Sequence, residues 1–207
     1  MRTIRIGTGA GFSGDRIEPA VDLTEKGDLD YLVFECLAER TIALAQQAKM
    51  HDSNAGFDPL LERRMRAVLP ICREKGVRVI SNMGAANPVA AAKHTIKIAR
   101  ELGLSGLRVA AVQGDNVLDV LSPDEFVIDE ANCTLGAFDK DVISANAYLG
   151  AEGIVDALRA GADVVLTGRA ADPAMFLAPQ IFEFGWQMDD WTRLGRGTLV
   201  GHLLECG

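Results

Sequence analysis

An α/β fold with a mainly parallel sheet of about six strands and helices on both faces, doubly wound and Rossmann-like, is what this sequence predicts. Three observations carry the prediction. Short apolar runs rich in Val and Ile alternate with longer segments of helical period, the pattern of strand–helix–strand units. Two of the runs, DYLVFECL at 30–37 and ADVVLTGR at 162–169, are apolar nearly throughout, as strands covered on both faces are. The chain also opens with strand, glycine-rich turn and helix, TIRIGTGAGFSGDR at 3–16 running into IEPAVDLTEKG. An incomplete barrel is the alternative, because parallel strands with intervening helices also close that way.

The first strand runs from Thr3 into glycines 7, 9, 11 and 14, which carry no Cβ and so permit φ > 0 beside a ligand. The helix after it turns Ile17, Val21 and Leu23 inward and stops at Gly27. The second strand, Asp30 to Leu37, includes Glu35 near its end, and AERTIALAQQAK is rich in helix formers. After the polar break HDSNAG, Asp58-Pro59 supplies a cap and a first residue to a helix with Leu61, Met65, Val68, Leu69 and Cys72 inside, a kink at Pro70 and a stop at Gly76.

Val77 to Met83 is the third strand, and Asn87-Pro88 starts a helix with Val89, Ala92, Ile96, Ala99 and Leu102 on one face and Gly103 as its stop. Arg108 to Gly114 is the fourth. Residues 115–141 keep no period and hold Pro, Gly, Asn and acids among several apolar residues, so they are expected as a loop or lid insertion over the site. Val142 to Gly150 is the fifth strand, with a polar centre, and AEGIVDALRA a helix stopped by Gly161. Ala162 to Arg169 is the sixth; the helix opened by Asp172-Pro173 breaks or bends at Pro179. The last stretch, 189–207, is helical at both ends and interrupted by glycines 195, 197 and 201.

With 207 residues and 48% apolar content the chain can bury a large core, as one domain over 1–207. The balance of 21 Lys and Arg against 29 Asp and Glu argues against a nucleic-acid surface, which needs clustered positive charge. Arg63, Arg64 and Arg66 form the tightest basic group and are expected on a solvated helix face. No secretory signal and no membrane-length apolar run are visible, so a cytoplasmic location is expected. Cys36, Cys72, Cys133 and Cys206 stand far apart without a C-x-x-C pair, the spacing of free thiols.

Right-handed crossovers place every strand's carboxyl end on one edge, where ligands of open α/β sheets bind. The polar residues collect there: Ser13, Asp15 and Arg16; Glu35; Ser81, Asn82, Gly84 and Asn87; Gln113, Gly114, Asp115 and Asn116; Asn146 and Tyr148; Thr167, Arg169 and Asp172.

GTGAGFSGDRIEPAVDL, YLVFECLAERTIALAQ, SNMGAANP, SANAYLGAEGIVDALRAGADVVLTGRAADPA, APQIFEFGW and GHLLECG together resemble the acyclic terpene utilisation family, over about residues 4–207. The resemblance implies the N-terminal domain of a longer protein and a place in the breakdown of acyclic terpenes such as citronellol and geraniol through acyl-CoA intermediates. It carries over no catalytic residues, so roles are read from chemistry.

Glu35, Asp15 or Asp115 can serve as general base next to a carbonyl, while Asn82 or Gln113 hydrogen-bonds the oxygen as it gains charge. Each carboxylate alone is as well read as a cap or salt-bridge partner, and Asp172 as an N-cap. The Arg169 guanidinium and loop N–H groups at Gly9, Gly11, Ser13 and Gly14 are expected to hold a small anionic metabolite, in one hollow with Gly84, Gly114, Asn146 and Thr167. Arg169 tied to a neighbouring acid is the structural alternative. Gly9, Gly11 and Gly14 also fit G-x-G-x-x-G, with Glu35 placed as a ribose-binding acid, which makes a dinucleotide one cofactor to test; Asp15, where a pyrophosphate would lie, counts against it. His202, Glu205 and Cys206 share a helical face suited to a nucleophile pair or half a metal site, whereas His51 and His94 are ordinary, and no metal is expected. The leading expectation is an enzyme or enzyme lobe acting on a branched acyl-CoA or organic acid. An NAD(P)- or flavin-dependent oxidoreductase and a non-catalytic binding subunit are the alternatives, with a homo-oligomer or a further lobe as partner.

Overall fold

The computed structural model describes residues 3–205. In chain order the elements are β1 (Ile6–Ala10), α1 (Glu18–Lys26), β2 (Tyr31–Phe34), α2 (Glu39–His51), α3 (Leu61–Lys75), β3 (Arg78–Ser81), α4 (Pro88–Glu101), β4 (Val109–Val112), β5 (Val127–Ile128), β6 (Cys133–Thr134), α5 (Glu152–Arg159), β7 (Val164–Thr167), α6 (Ala174–Phe184) and α7 (Trp191–Glu205). Five of the strands form one parallel sheet in the order β1-β2-β3-β7-β4, and β5 and β6 make a separate antiparallel pair. The sheet is open, and no barrel closes.

Alternation along each strand decides which face each residue serves. Leu32, Phe34, Val79, Val164 and Leu166 point to one face and pack with Ala20, the inner side of α3 and Ala91, Ala92 and Ile98 of α4. Tyr31, Val33, Ile80 and Val165 point to the other and pack with α5, α6 and Leu194 of α7. The chain moves steadily from β1 to β3, passes over one place to reach β4 at the far edge, and returns to fill the gap with β7. That reversal sends the connection after β3 to one face and the one after β7 to the other, so the switch point lies between β3 and β7.

Several expectations are corrected. Among the described residues the sheet has five strands, not six: residues 142–150 form no strand and make only isolated bridges, Asn116 with Asn146 and Leu149 with Ala170. Their polar centre, with Ser144 and Asn146, does not suit a strand sandwiched between helix layers. The 115–141 segment is a connecting stretch without a long element, as its lack of period implies, and holds the short β5–β6 pair and two 3-10 turns. α6 is not broken at Pro179, and α7 runs unbroken through its glycines. Gly197 and Gly201 are there for packing, because a Cβ at either would meet α6 side chains or the Pro173 carbonyl.

The opening strand is also different. β1 extends through Gly7 and Gly9, and glycines 7, 9, 11 and 14 all keep negative φ. A Cβ on Gly9 would lie 2.5 Å from the Phe34 ring of the neighbouring strand, so this glycine makes room for an aromatic ring. Among the described residues no helix is long and apolar enough to cross a membrane.

Candidate functional site

The carboxyl ends of β2, β3 and β7 meet around a buried polar cluster. Asn82 follows β3 directly; its Nδ2 donates to Glu35 Oε1 at 2.9 Å, and its Oδ1 accepts from the Cys36 amide at 2.7 Å. The Leu37 amide donates to the same Glu35 oxygen at 3.0 Å. Burial pushes the Glu35 carboxyl above its ordinary pKa, with the hydrogen bonds from Asn82 and Leu37 and the Arg169 charge opposing and Asp172 reinforcing. The sequence therefore places Glu35 and Asn82 correctly on one rim, and the fold joins them.

Arg169 reaches this cluster but is spent within it. Its guanidinium donates to the carbonyls of Leu37 and Ala170 and pairs with Asp172, and it lies 4.5 Å from the centre of the Tyr148 ring. Only 3% of it is exposed. Asp172 is thus an ion-pair partner and not the cap of α6, which begins after Pro173 without a side-chain cap. Burial raises the Asp172 carboxyl, and the arginine opposes that rise.

Asp115 holds the loops together. Its Oδ2 accepts from the Arg169 amide and from Asn146 Nδ2, each at 2.9 Å, and a Cβ on Gly168 would meet this carboxylate at 2.5 Å. Gly114 just before it has φ +115°, a conformation that only glycine adopts cheaply. Thr167 turns its hydroxyl to the Gly168 carbonyl at 2.9 Å. Gly84 lies against the Thr167 main chain at the switch point, where a Cβ would meet the Thr167 carbonyl. Gln113 is exposed at the end of edge strand β4, away from Glu35.

The loop after β1 does not meet Arg169. The guanidinium that meets it is Arg64 of α3, fully buried, which donates to the carbonyls of Ser13 at 2.8 Å, Asp15 at 3.2 Å and Phe12 at 3.4 Å. The expectation of a solvated arginine face fails at this residue. Its spacing carried the signal: 61, 64, 65, 68 and 72 recur at three and four residues, so Arg64 shares the inner face of α3. Asp58, also buried, accepts from Ser13 Oγ at 2.6 Å and from Arg64 at 3.4 Å. Asp15 Oδ2 accepts from the Gly11 amide at 3.1 Å and Oδ1 from the Arg16 amide at 2.8 Å. A carboxylate therefore occupies the place of a pyrophosphate, and Gly14 lies exposed beside Phe12. Glu35 is bound to Asn82 where a ribose-binding acid would stand free. The residues do not fit a dinucleotide.

A family model described as acyclic terpene utilisation family protein AtuA matches residues 4–207. The chain belongs to this family. No curated protein and no solved structure matches it.

Beside the rim cluster lies a cavity of about 340 Å³, within the roughly 300–1,000 Å³ of small-molecule pockets. Ser13, Cys36, Leu37, Phe57, Asp58, Pro59 and Ala85 line it, and α2 forms the remaining wall with Thr41, Leu44, Ala45 and Ala48. Burial pushes the Cys36 thiol far up, so this sulfur stays protonated and is a poor nucleophile. The other sequence candidates lie apart. His94 contacts Glu62 at 3.2 Å, and His202 pairs with Glu205 at 2.9 Å, leaving Glu205 Oε2 buried with no partner among the described residues. Cys206 lies outside the described residues. Among the described residues no group of three or more His, Cys, Asp or Glu is arranged to hold a metal ion.

Proposed function

We propose that this chain is an enzyme lobe of acyclic terpene breakdown that moves a proton on a branched acyl-CoA or related organic acid. Glu35 is the acid/base group, and Asn82 is its positioning residue. The observation that carries this reading is the Glu35 carboxyl itself: buried at the sheet's carboxyl edge, raised in pKa, and anchored through one oxygen by Asn82 and Leu37. Raising a carboxyl towards neutrality is what a group that both accepts and returns a proton needs. Asn82 is spent on Glu35 and the Cys36 amide, so it orients the base and does not receive the substrate oxygen.

The test is exchange of the α C–H of 3-methyl-branched acyl-CoA thioesters in D₂O, followed by NMR. Exchange that is lost in Glu35→Gln with the fold intact supports the reading. No exchange with any such thioester, or equal exchange in the variant, overturns it.

The committed state of Arg169 favours a second reading, a non-catalytic binding subunit, because its guanidinium holds the protein and not an anion. Thermal shift with short organic acids that persists unchanged in Glu35→Gln, with no turnover of any, distinguishes it.

A further inference from the structure

We propose that the cavity beneath α2 is a binding site for the uncharged aliphatic part of a ligand, and that α2 is the lid that closes over it. This site adjoins the Glu35 cluster through Cys36 and Leu37 but does not depend on the proton-transfer reading, since Glu35 is not among its lining residues.

Its chemistry is set by what lines it. Leu37, Leu44, Ala45, Ala48, Phe57, Pro59 and Ala85 supply the apolar wall, and no cationic side chain takes part. The polar side chains are already satisfied: the Ser13 hydroxyl proton goes to Asp58 at 2.6 Å, and Thr41 Oγ1 bonds the Ala38 amide and carbonyl at 2.8 and 3.0 Å. An anion placed inside would thus be desolvated without a partner and would face the Asp58 carboxylate, whereas methylene groups would gain by leaving water. At roughly 30 Å³ for a water-sized group, about 340 Å³ holds on the order of ten such groups.

The floor gives a second, independent sign. Ala85 is buried and has φ 46°, a left-handed conformation that costs a non-glycine residue free energy. Its methyl packs with Leu37, Ile42 and Ala45, so the strain holds a side chain at the base of the space. Such strain collects at ligand sites.

α2 is built to move. Of its thirteen residues only Ile42 and Ala45 are buried, and its apolar packing is confined to a small cluster with Leu37, Ala85 and Ala86 at the edge of the cavity. Its other ties are polar: Glu39 to the Tyr148 hydroxyl, Gln46 Nε2 to the Ile143 carbonyl at 3.3 Å and Lys49 Nζ to the Ala86 carbonyl at 2.8 Å. Water replaces such bonds readily when the helix lifts.

The experiment uses the purified chain, with 1-decanol, decanoate and decanedioate as probes. Calorimetry reads affinity, methyl NMR reads Leu37 and Leu44, and hydrogen exchange reads α2. Decanol and decanoate are expected to bind and shift both leucines, decanedioate to bind at least tenfold more weakly, and α2 amides to exchange more slowly with probe bound. Ala45→Leu, which fills the space, lowers decanol affinity at least tenfold. Ala85→Gly, which deepens the floor, moves the preferred chain length upward. Absence of binding, shifts that spare both leucines, equal binding of decanedioate, unchanged α2 exchange, or the same chain-length preference in both variants overturns the proposal.

Discussion

Arg64 Nη2 donates to the Ser13 carbonyl at 2.8 Å, so a buried guanidinium on α3 holds the loop that follows β1. The Ser13 hydroxyl in turn donates to Asp58, which also accepts from Arg64, and loop, α3 and cavity wall become one network. Removing the guanidinium takes the donor from three loop carbonyls and leaves the buried Asp58 carboxylate with the Ser13 hydroxyl and the Leu60 amide but no counter-charge. Arg64→Leu is expected to cost about 3–5 kcal/mol, the usual loss when one partner of a buried pair is deleted. The shift of the urea midpoint checks this, and a loss under 1 kcal/mol would contradict the network.

Arg169→Ala is expected to destabilise the fold, because the Leu37 and Ala170 carbonyls and Asp172 lose their donor. Asp172 is partly exposed, so the loss is smaller than at Arg64, about 2–3 kcal/mol. Thermal melting with and without a short organic acid separates this from ligand binding: a variant as stable as the parent but unresponsive to acids would restore Arg169 as an anion site.

Glu35 makes stability depend on pH. Its folded pKa is raised above 4.5 by burial, so the native state holds this proton more tightly than the unfolded chain does. That contribution is complete below about 4.5 and is lost as pH rises through the raised value. Glu35→Gln, whose amide oxygen can accept the same two bonds, is therefore expected to be more stable than the parent at pH 7 and nearly equal below about pH 4. Denaturation at both pH values reads the difference; a deficit for the variant at pH 7 would show that the ionised form is the one the fold favours.

Gly9→Ala brings a methyl within 2.5 Å of the Phe34 ring and is expected to cost about 1–3 kcal/mol by overpacking. Phe34→Leu should recover part of that loss when combined with it. A double-mutant cycle with no coupling would place the strain elsewhere.

The glycines of α7 divide by what surrounds them. Gly195 has nothing within 4 Å of an added Cβ, so Gly195→Ala is expected to stabilise by about 1 kcal/mol through helix propensity. Gly201→Ala meets the Pro173 carbonyl at 2.7 Å and is expected to destabilise despite the same propensity gain. Melting temperatures moving in the same direction for both would refute the packing account.

The alternation of apolar runs with helical segments was enough to read a doubly wound α/β fold, because periodicity and burial are properties of short stretches. Asn87 as the cap of α4, accepting from the Ala90 amide, was legible in the same way. So was the rim that gathers Glu35, Asn82, Asp115 and Arg169, since parallel strands align their carboxyl ends. Tertiary structure alone decided which of these groups touch. Arg169 turned inward to Leu37 and Asp172, Gly9 of β1 made room for Phe34, and Arg64 left its expected solvated face to hold Ser13. The cavity under α2 was equally invisible, because a space between elements has no sequence of its own. Local pattern names the element a residue belongs to; its partners come from strand order and from side chains that fill one another's volume.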